Sequence, residues 1–145
     1  MPIEDFLTPD EQRNVVAAIA AAERRTSGEI RVHVEPRCQR NPLTRATQVF
    51  GALQMHLTAE RNGVLIYVAF ESRKFAIVGD EGINKRVGAS FWEDAKHILA
   101  HAFALAKPGE GLCNAIALIG TQLSNYFPPK ENDVNELSDE ISYSE

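Results

Sequence analysis

Gly63-Val64-Leu65-Ile66-Tyr67-Val68-Ala69-Phe70 is an apolar run of strand length with no polar alternation. Such a run, opened by a glycine and closed by the polar Glu71-Ser72-Arg73-Lys74, reads as a β-strand covered on both faces. Phe75-Ala76-Ile77-Val78 follows so closely that only an antiparallel hairpin joins the two. Upstream, Ile30, Val32 and Val34 alternate with Glu29, Arg31, His33 and Glu35, the period-2 mark of a strand with one wet face.

The remaining periodic segments have helical spacing. Thr8-Pro9-Asp10-Glu11 carries a capping threonine, a proline suited to the first helical position and a glutamate that completes a capping box. Val15, Val16, Ile19 and Ala22 continue that helix to a break at Thr26-Ser27-Gly28. Asn41-Pro42 starts a second helix with Leu43, Ala46, Phe50, Leu53 and Leu57 as its expected buried stripe. Ser90 and Glu93 match a further capping box, predicting a helix that runs to Lys107-Pro108-Gly109. A last helix carries Leu112, Ile116, Ile119, Leu123 and Phe127, and Pro128-Pro129 stops it.

Helix, strand, helix, strand, strand, helix, helix predicts an α/β fold, a three-layer α/β/α sandwich around a small mixed sheet. The strand–helix–strand unit supplies parallel pairing and the hairpin antiparallel pairing. Residues 1–127 form the expected domain and residues 128–145 an acidic tail. The composition of that tail predicts a solvated terminus, although Val134, Leu137, Ile141 and Tyr143 offer apolar contacts for docking.

With 145 residues, 44% hydrophobic and 24% charged, the chain has material for one ordinary core. Its net charge of -5, with arginines scattered among acids, excludes the basic stripe that nucleic acid or an anionic membrane requires. No apolar stretch reaches the length of a membrane span. Met1-Pro2-Ile3-Glu4-Asp5 lacks a signal-like pattern, so a reduced cytoplasm is the expected location. Cys38 and Cys113 match no metal spacing and are expected to be free thiols.

Strand direction locates the chemistry. If the first two strands are parallel and the third reverses, Asp80 and Glu81 fall beside Ser27, Glu29 and Asn62. Asp80, Glu81 and Glu29 are then candidate metal ligands, hard oxygens suited to calcium or magnesium, while solvated strand-end acids are the plainer alternative. The opposite edge, with Glu35, Arg37, Cys38 and Glu71 to Arg73, ranks second and lacks a phosphate-cradling glycine loop. His97 and His101 stand one helical turn apart, but Ile98 occupies the place of the glutamate in an H-E-x-x-H motif. Two surface histidines are expected. No nucleophile elbow, Walker loop or dinucleotide fingerprint is present, and the catalytic residues, if any, are unknown.

Thr26-Ser27-Gly28-Glu29-Ile30-Arg31-Val32, Asn62 to Val68, Ile77-Val78-Gly79-Asp80-Glu81-Gly82-Ile83 and Gly111-Leu112 together resemble the TPM domain family, closest to its soluble bacterial members. The resemblance covers roughly Phe6 to Phe127. It implies an α/β/α sandwich, divalent-cation binding as in some members and acid phosphatase activity as in others. Thylakoid-lumen relatives are linked to photosystem II repair. The family commonly has an acid after the strand-end glycines; here Asp80-Glu81 precede Gly82 and Ile83-Asn84 follow it. The expected function is a calcium- or magnesium-binding module acting in protein assembly or maintenance. The alternatives are a metal-assisted phosphomonoesterase and a scaffold for a protein partner.

Overall fold

The two apolar runs and the alternating strand pair into one sheet. In the computed structural model, which describes residues 2–130 and 137–144, β1 (Glu29–Glu35) lies parallel to β2 (Gly63–Ala69), which turns back antiparallel into β3 (Lys74–Gly79). The strand order is β3-β2-β1-β4. The fourth strand, β4 (Ser142–Tyr143), pairs parallel with His33 and Val34. The described end of the tail is therefore part of the sheet rather than solvated chain. Ile141 and Tyr143 pack on one core cluster and Leu137 on the other; Val134 lies outside the described residues. Closing the exposed edge of β1 and partly burying three apolar side chains outweighs the tail's acidic composition.

Pleating divides the strands between two layers. Ile30, Val32, Val34, Val64, Ile66 and Val68 point into a core shared with α1 (Pro9–Glu23), α4 (Glu93–Ala104) and α5 (Pro108–Ser124). Leu65, Tyr67 and Ala69 point the other way, onto Ala46, Val49 and Phe50 of α2 (Pro42–Ala52). The sandwich follows from the uniformly apolar β2, every residue of which is buried.

Local signals held where no distant contact competed. Thr8 and Glu11 form the reciprocal capping box that opens α1. The second helix stops early: Gln54 adopts a left-handed backbone (φ 59°), a 3₁₀ turn follows, and Met55 rather than Leu57 is buried. Leu43 and Leu57 remain 54% and 65% exposed, so neither belongs to the buried stripe. Ser90 and Glu93 form no capping box, because Ala89–Trp92 is a 3₁₀ turn and α4 begins at Glu93 with Trp92 as its uncapped neighbour. That turn seats Trp92 in the core so closely that a Cβ on Gly79 would lie 2.5 Å from its ring. Burial of a large aromatic wins over one cap.

Candidate functional site

At the Asp80 edge, β3 ends and a short helix, α3 (Glu81–Asn84), begins. Asp80 caps this turn by accepting from Glu81 N at 2.8 Å, and its own N–H donates to Gly63 O at 2.9 Å. Its carboxylate is 5% exposed and is gripped by Arg61: Nε donates to Oδ2 at 2.8 Å and a terminal nitrogen to Oδ1 at 2.9 Å. Arg61 also reaches Glu81 at 3.3 Å. The Asp80 hydrogen bond is the main reason that the Arg61 guanidinium is held more strongly protonated than usual. Gly82 fits beneath this turn because only a hydrogen can face Glu60 O and Arg61 O there.

The structure thus brings Asp80 and Glu81 together, but on a guanidinium. Glu29 pairs with Gly63 across β1 and β2, whereas Asp80 continues β3 on the far side of β2. Two strand spacings, about 10 Å, separate the two backbones. Ser27 and Asn62 join Glu60 instead: Ser27 Oγ donates to Glu60 at 2.8 Å and Lys130 pairs with it at 3.1 Å. Burial would raise the Glu60 carboxyl, but these donors outweigh it and hold it below its ordinary range. A cation at the Asp80 edge would have to displace Arg61. Among the described residues, no three histidine, cysteine, aspartate or glutamate side chains are grouped to hold a metal ion.

A second group of acids stands beside β1. Glu23, the last residue of α1, accepts from Ile30 N at 2.9 Å and so satisfies the β1 edge below the point that β4 reaches. Its other oxygen is buried without a donor. Asp139, from the tail, lies in hydrogen-bonding range of the same carboxyl, and Glu29 adds its charge. Burial first, then these two acids, push Glu23 up to about 10. The carboxyl is therefore protonated near neutrality and can donate to Asp139. Glu23, Glu29, Asp139 and Lys130 line an open cleft of about 310 Å³. Sequence reasoning missed Glu23 and Asp139 because their meeting depends on where the tail docks.

At the other end of the sheet the acids are paired with cations, although one Glu71 oxygen is buried without a donor. Arg45 donates to both oxygens of Glu35 at 2.9 and 2.8 Å, and the buried Tyr67 hydroxyl donates to the same carboxylate. Burial acts to raise Glu35, but these donors outweigh it and hold the carboxyl below its ordinary range. Arg37 pairs with Glu71 at 3.6 Å, and Lys74 donates to Cys38 O at 3.1 Å. His33 lies between the hydroxyls of Ser142 and Ser144 at 2.8 and 3.1 Å, and burial pushes its imidazole toward the neutral form. Cys38 and Cys113 are free thiols, and burial raises that of Cys113. His97 and His101 are exposed on α4.

A four-stranded mixed sheet between helical layers, with compact charged clusters at both strand ends, defines a small α/β/α module without a familiar catalytic constellation. Residues 3–122 match the TPM domain, and the chain belongs to that family. It is similar over 99% of both chains to the BA42 protein of the psychrophilic bacterium Bizionia argentinensis, known from an NMR structure, with 43% identity and a TM-score of 0.92. It also shares its fold with the N-terminal domain of the cg2496 protein from Corynebacterium glutamicum, solved by solution NMR. There the TM-score is 0.65 at 15% identity, covering 97% of this chain and 82% of that one. No curated protein matches the sequence. Among the described residues, no helix is long and apolar enough to cross a membrane.

Proposed function

We propose that this chain is a divalent-cation-binding TPM-type module, and that the cation exchanges with the proton shared by Glu23 and Asp139. One observation carries this reading: two carboxyl groups meet beside a third acid, Glu29, in a water-accessible cleft. Glu23 holds its proton chiefly because it is buried, with the two neighbouring acids adding to the effect, and a divalent cation would neutralise the same group of acids. Magnesium is commonly held by one or two carboxylates and several waters, and calcium tolerates irregular oxygen shells. Glu23 and Asp139 would supply the two protein carboxylates, Glu29 would add only its charge, and the open cleft would admit the waters that complete the shell. Asp80 and Glu81 support the reading less, since Arg61 already neutralises them. The phosphomonoesterase alternative has the same weakness, because Arg61, the cation beside Asp80, is engaged by both acids.

The test is titration of calcium and of magnesium into the protein while amide resonances are followed. The expected result is saturable movement at Glu23, Ile30 and Asp139, strongly weakened in Asp139→Asn. Movement confined to Gly79 through Gly82 would transfer the site to the Asp80 edge. No saturable movement in either region at millimolar metal would end the cation reading.

A further inference from the structure

Arg31 lies on the α2-facing side of β1 and forms no ion pair with the Glu35 network, although its charge helps to keep His33 neutral. Pleating places its side chain with those of Glu29, His33 and Glu35, opposite Ile30 and Val32 in the main core. Arg45 and Arg61 each grip a carboxylate through two nitrogens. By contrast, the Arg31 Nε is buried without a hydrogen-bond partner, and among the described residues Arg31 forms no ion pair. A desolvated N–H of a permanently charged group is among the costlier donors to leave unmatched.

The surroundings define what would match it. Arg31 opens onto a cleft of about 300 Å³ whose other walls are Leu53, Gln54, Leu57, Leu137 and Ser138. The left-handed backbone at Gln54 ends α2 and turns the chain so that Leu57 stands 65% exposed at this cleft. Leu137 closes the wall from the tail. A guanidinium with three leucines at one concavity combines a fork for a planar anion with an apolar bed for what the anion carries. The cleft volume is at the small end of ligand sites, which suits a small molecule rather than a protein segment.

We propose that this cleft binds a small monocarboxylate bearing a short alkyl chain, with the Arg31 guanidinium on the carboxylate and Leu53, Leu57 and Leu137 around the chain. The carboxylate would neutralise, at the cleft wall, the guanidinium charge that no acid among the described residues pairs, and the buried Nε–H beside it would report that binding. Inorganic phosphate, with no apolar body and a tightly held hydration shell, would gain nothing from the leucines. This site is separate from the Glu23–Asp139 cleft and does not depend on cation binding.

The probes are hexanoate, hexanol and inorganic phosphate, each titrated into the full chain while the Arg31 Nε–H resonance and the Leu137 amide are followed. Hexanoate is expected to move both saturably. Hexanol and phosphate are expected to leave the Nε–H unmoved or to act far more weakly. Arg31→Lys keeps the positive charge without the fork and is expected to bind hexanoate about tenfold more weakly, the loss of one charge-assisted hydrogen bond. A wild-type Nε–H that hexanoate does not move saturably overturns the proposal. So does equal binding of hexanol or phosphate, or undiminished hexanoate affinity in Arg31→Lys.

Discussion

The buried Tyr67 hydroxyl and the half-exposed Arg45 guanidinium share one buried carboxylate, Glu35, and water does not replace the tyrosine donor at that depth. Tyr67→Phe keeps the ring and removes one hydrogen bond to a charged acceptor, so it is expected to cost about 1.5–3 kcal/mol in denaturant unfolding. Its pH signature is equally specific. A carboxyl held below its ordinary range stabilises the fold above that range, and the stabilisation is lost as pH falls through the folded value. Removing the Tyr67 donor weakens that hold, so the acid-unfolding midpoint of Tyr67→Phe moves to higher pH than in the wild type. An unchanged acid midpoint would show that Tyr67 does not set the Glu35 ionisation. Glu23 has the opposite sign, being raised from 4.5 to about 10. Its protonated form stabilises the fold fully below the ordinary value, and this contribution declines as pH rises toward about 10. Wild-type stability is therefore expected to fall between about pH 6 and pH 9, with a slope from this group no steeper than about 1.4 kcal/mol per pH unit. Glu23→Gln, permanently neutral, should flatten the decline; parallel curves for the two proteins would refute the raised carboxyl.

Elements join through close backbone approaches at some glycines and not at others. A Cβ on Gly82 would fall 2.2 Å from Glu60 O and 2.6 Å from Arg61 O, both backbone atoms. Gly82→Ala must therefore push α3 away from the start of β2 and is expected to cost about 1–3 kcal/mol. Gly51 in α2 has nothing within 4 Å of the same position, so Gly51→Ala is expected to gain about 0.5–1 kcal/mol from helix propensity alone. Urea midpoints shifting in opposite directions would bear out the contrast, and a neutral Gly82→Ala would remove it. The same distinction explains what the sequence made legible. The box at Thr8 and Glu11 formed because its partners are three residues apart and nothing else claims them. The same spacing at Ser90 and Glu93 failed because Trp92, between them, is drawn into the core against Gly79 on another element. Strand directions follow from loop length, and they put Asp80 at the same end of the sheet as Gly63 and Asn62. They could not reveal that Arg61 folds back on Asp80, or that the width of β2 keeps Glu29 apart from it. Those facts depend on side-chain direction and strand order.

Across the whole molecule, the C-terminal segment links the features that local reasoning kept separate. Ser144 N donates to Val34 O at 3.0 Å, and the hydroxyls of Ser142 and Ser144 take both ring nitrogens of His33. A neutral imidazole has one donor and one acceptor nitrogen, and two rotating hydroxyls satisfy either tautomer. Further along the same edge, Asp139 meets Glu23. The segment therefore acts as an edge guard for β1, whose backbone groups would otherwise be open to pairing with another chain. Ser144→Pro removes the N–H that Val34 needs and the hydroxyl beside His33 while leaving the net charge unchanged. It is expected to lower the melting temperature by about 4–8 °C, corresponding to loss of roughly one or two net hydrogen bonds. Deleting residues 137–145 should lower it further and promote concentration-dependent self-association, read by light scattering. The deletion also removes Asp139 from Glu23, so the truncated protein should show a shallower loss of stability with rising pH than the full chain. If truncation leaves both the melting temperature and the pH slope unchanged, the tail contributes neither to the sheet nor to the Glu23 carboxyl. A loss of melting temperature with an unchanged slope would keep the edge strand and discard the acid pair. The two contributions are thus separable by comparing the truncation with Ser144→Pro, because they lie at different positions along the same edge.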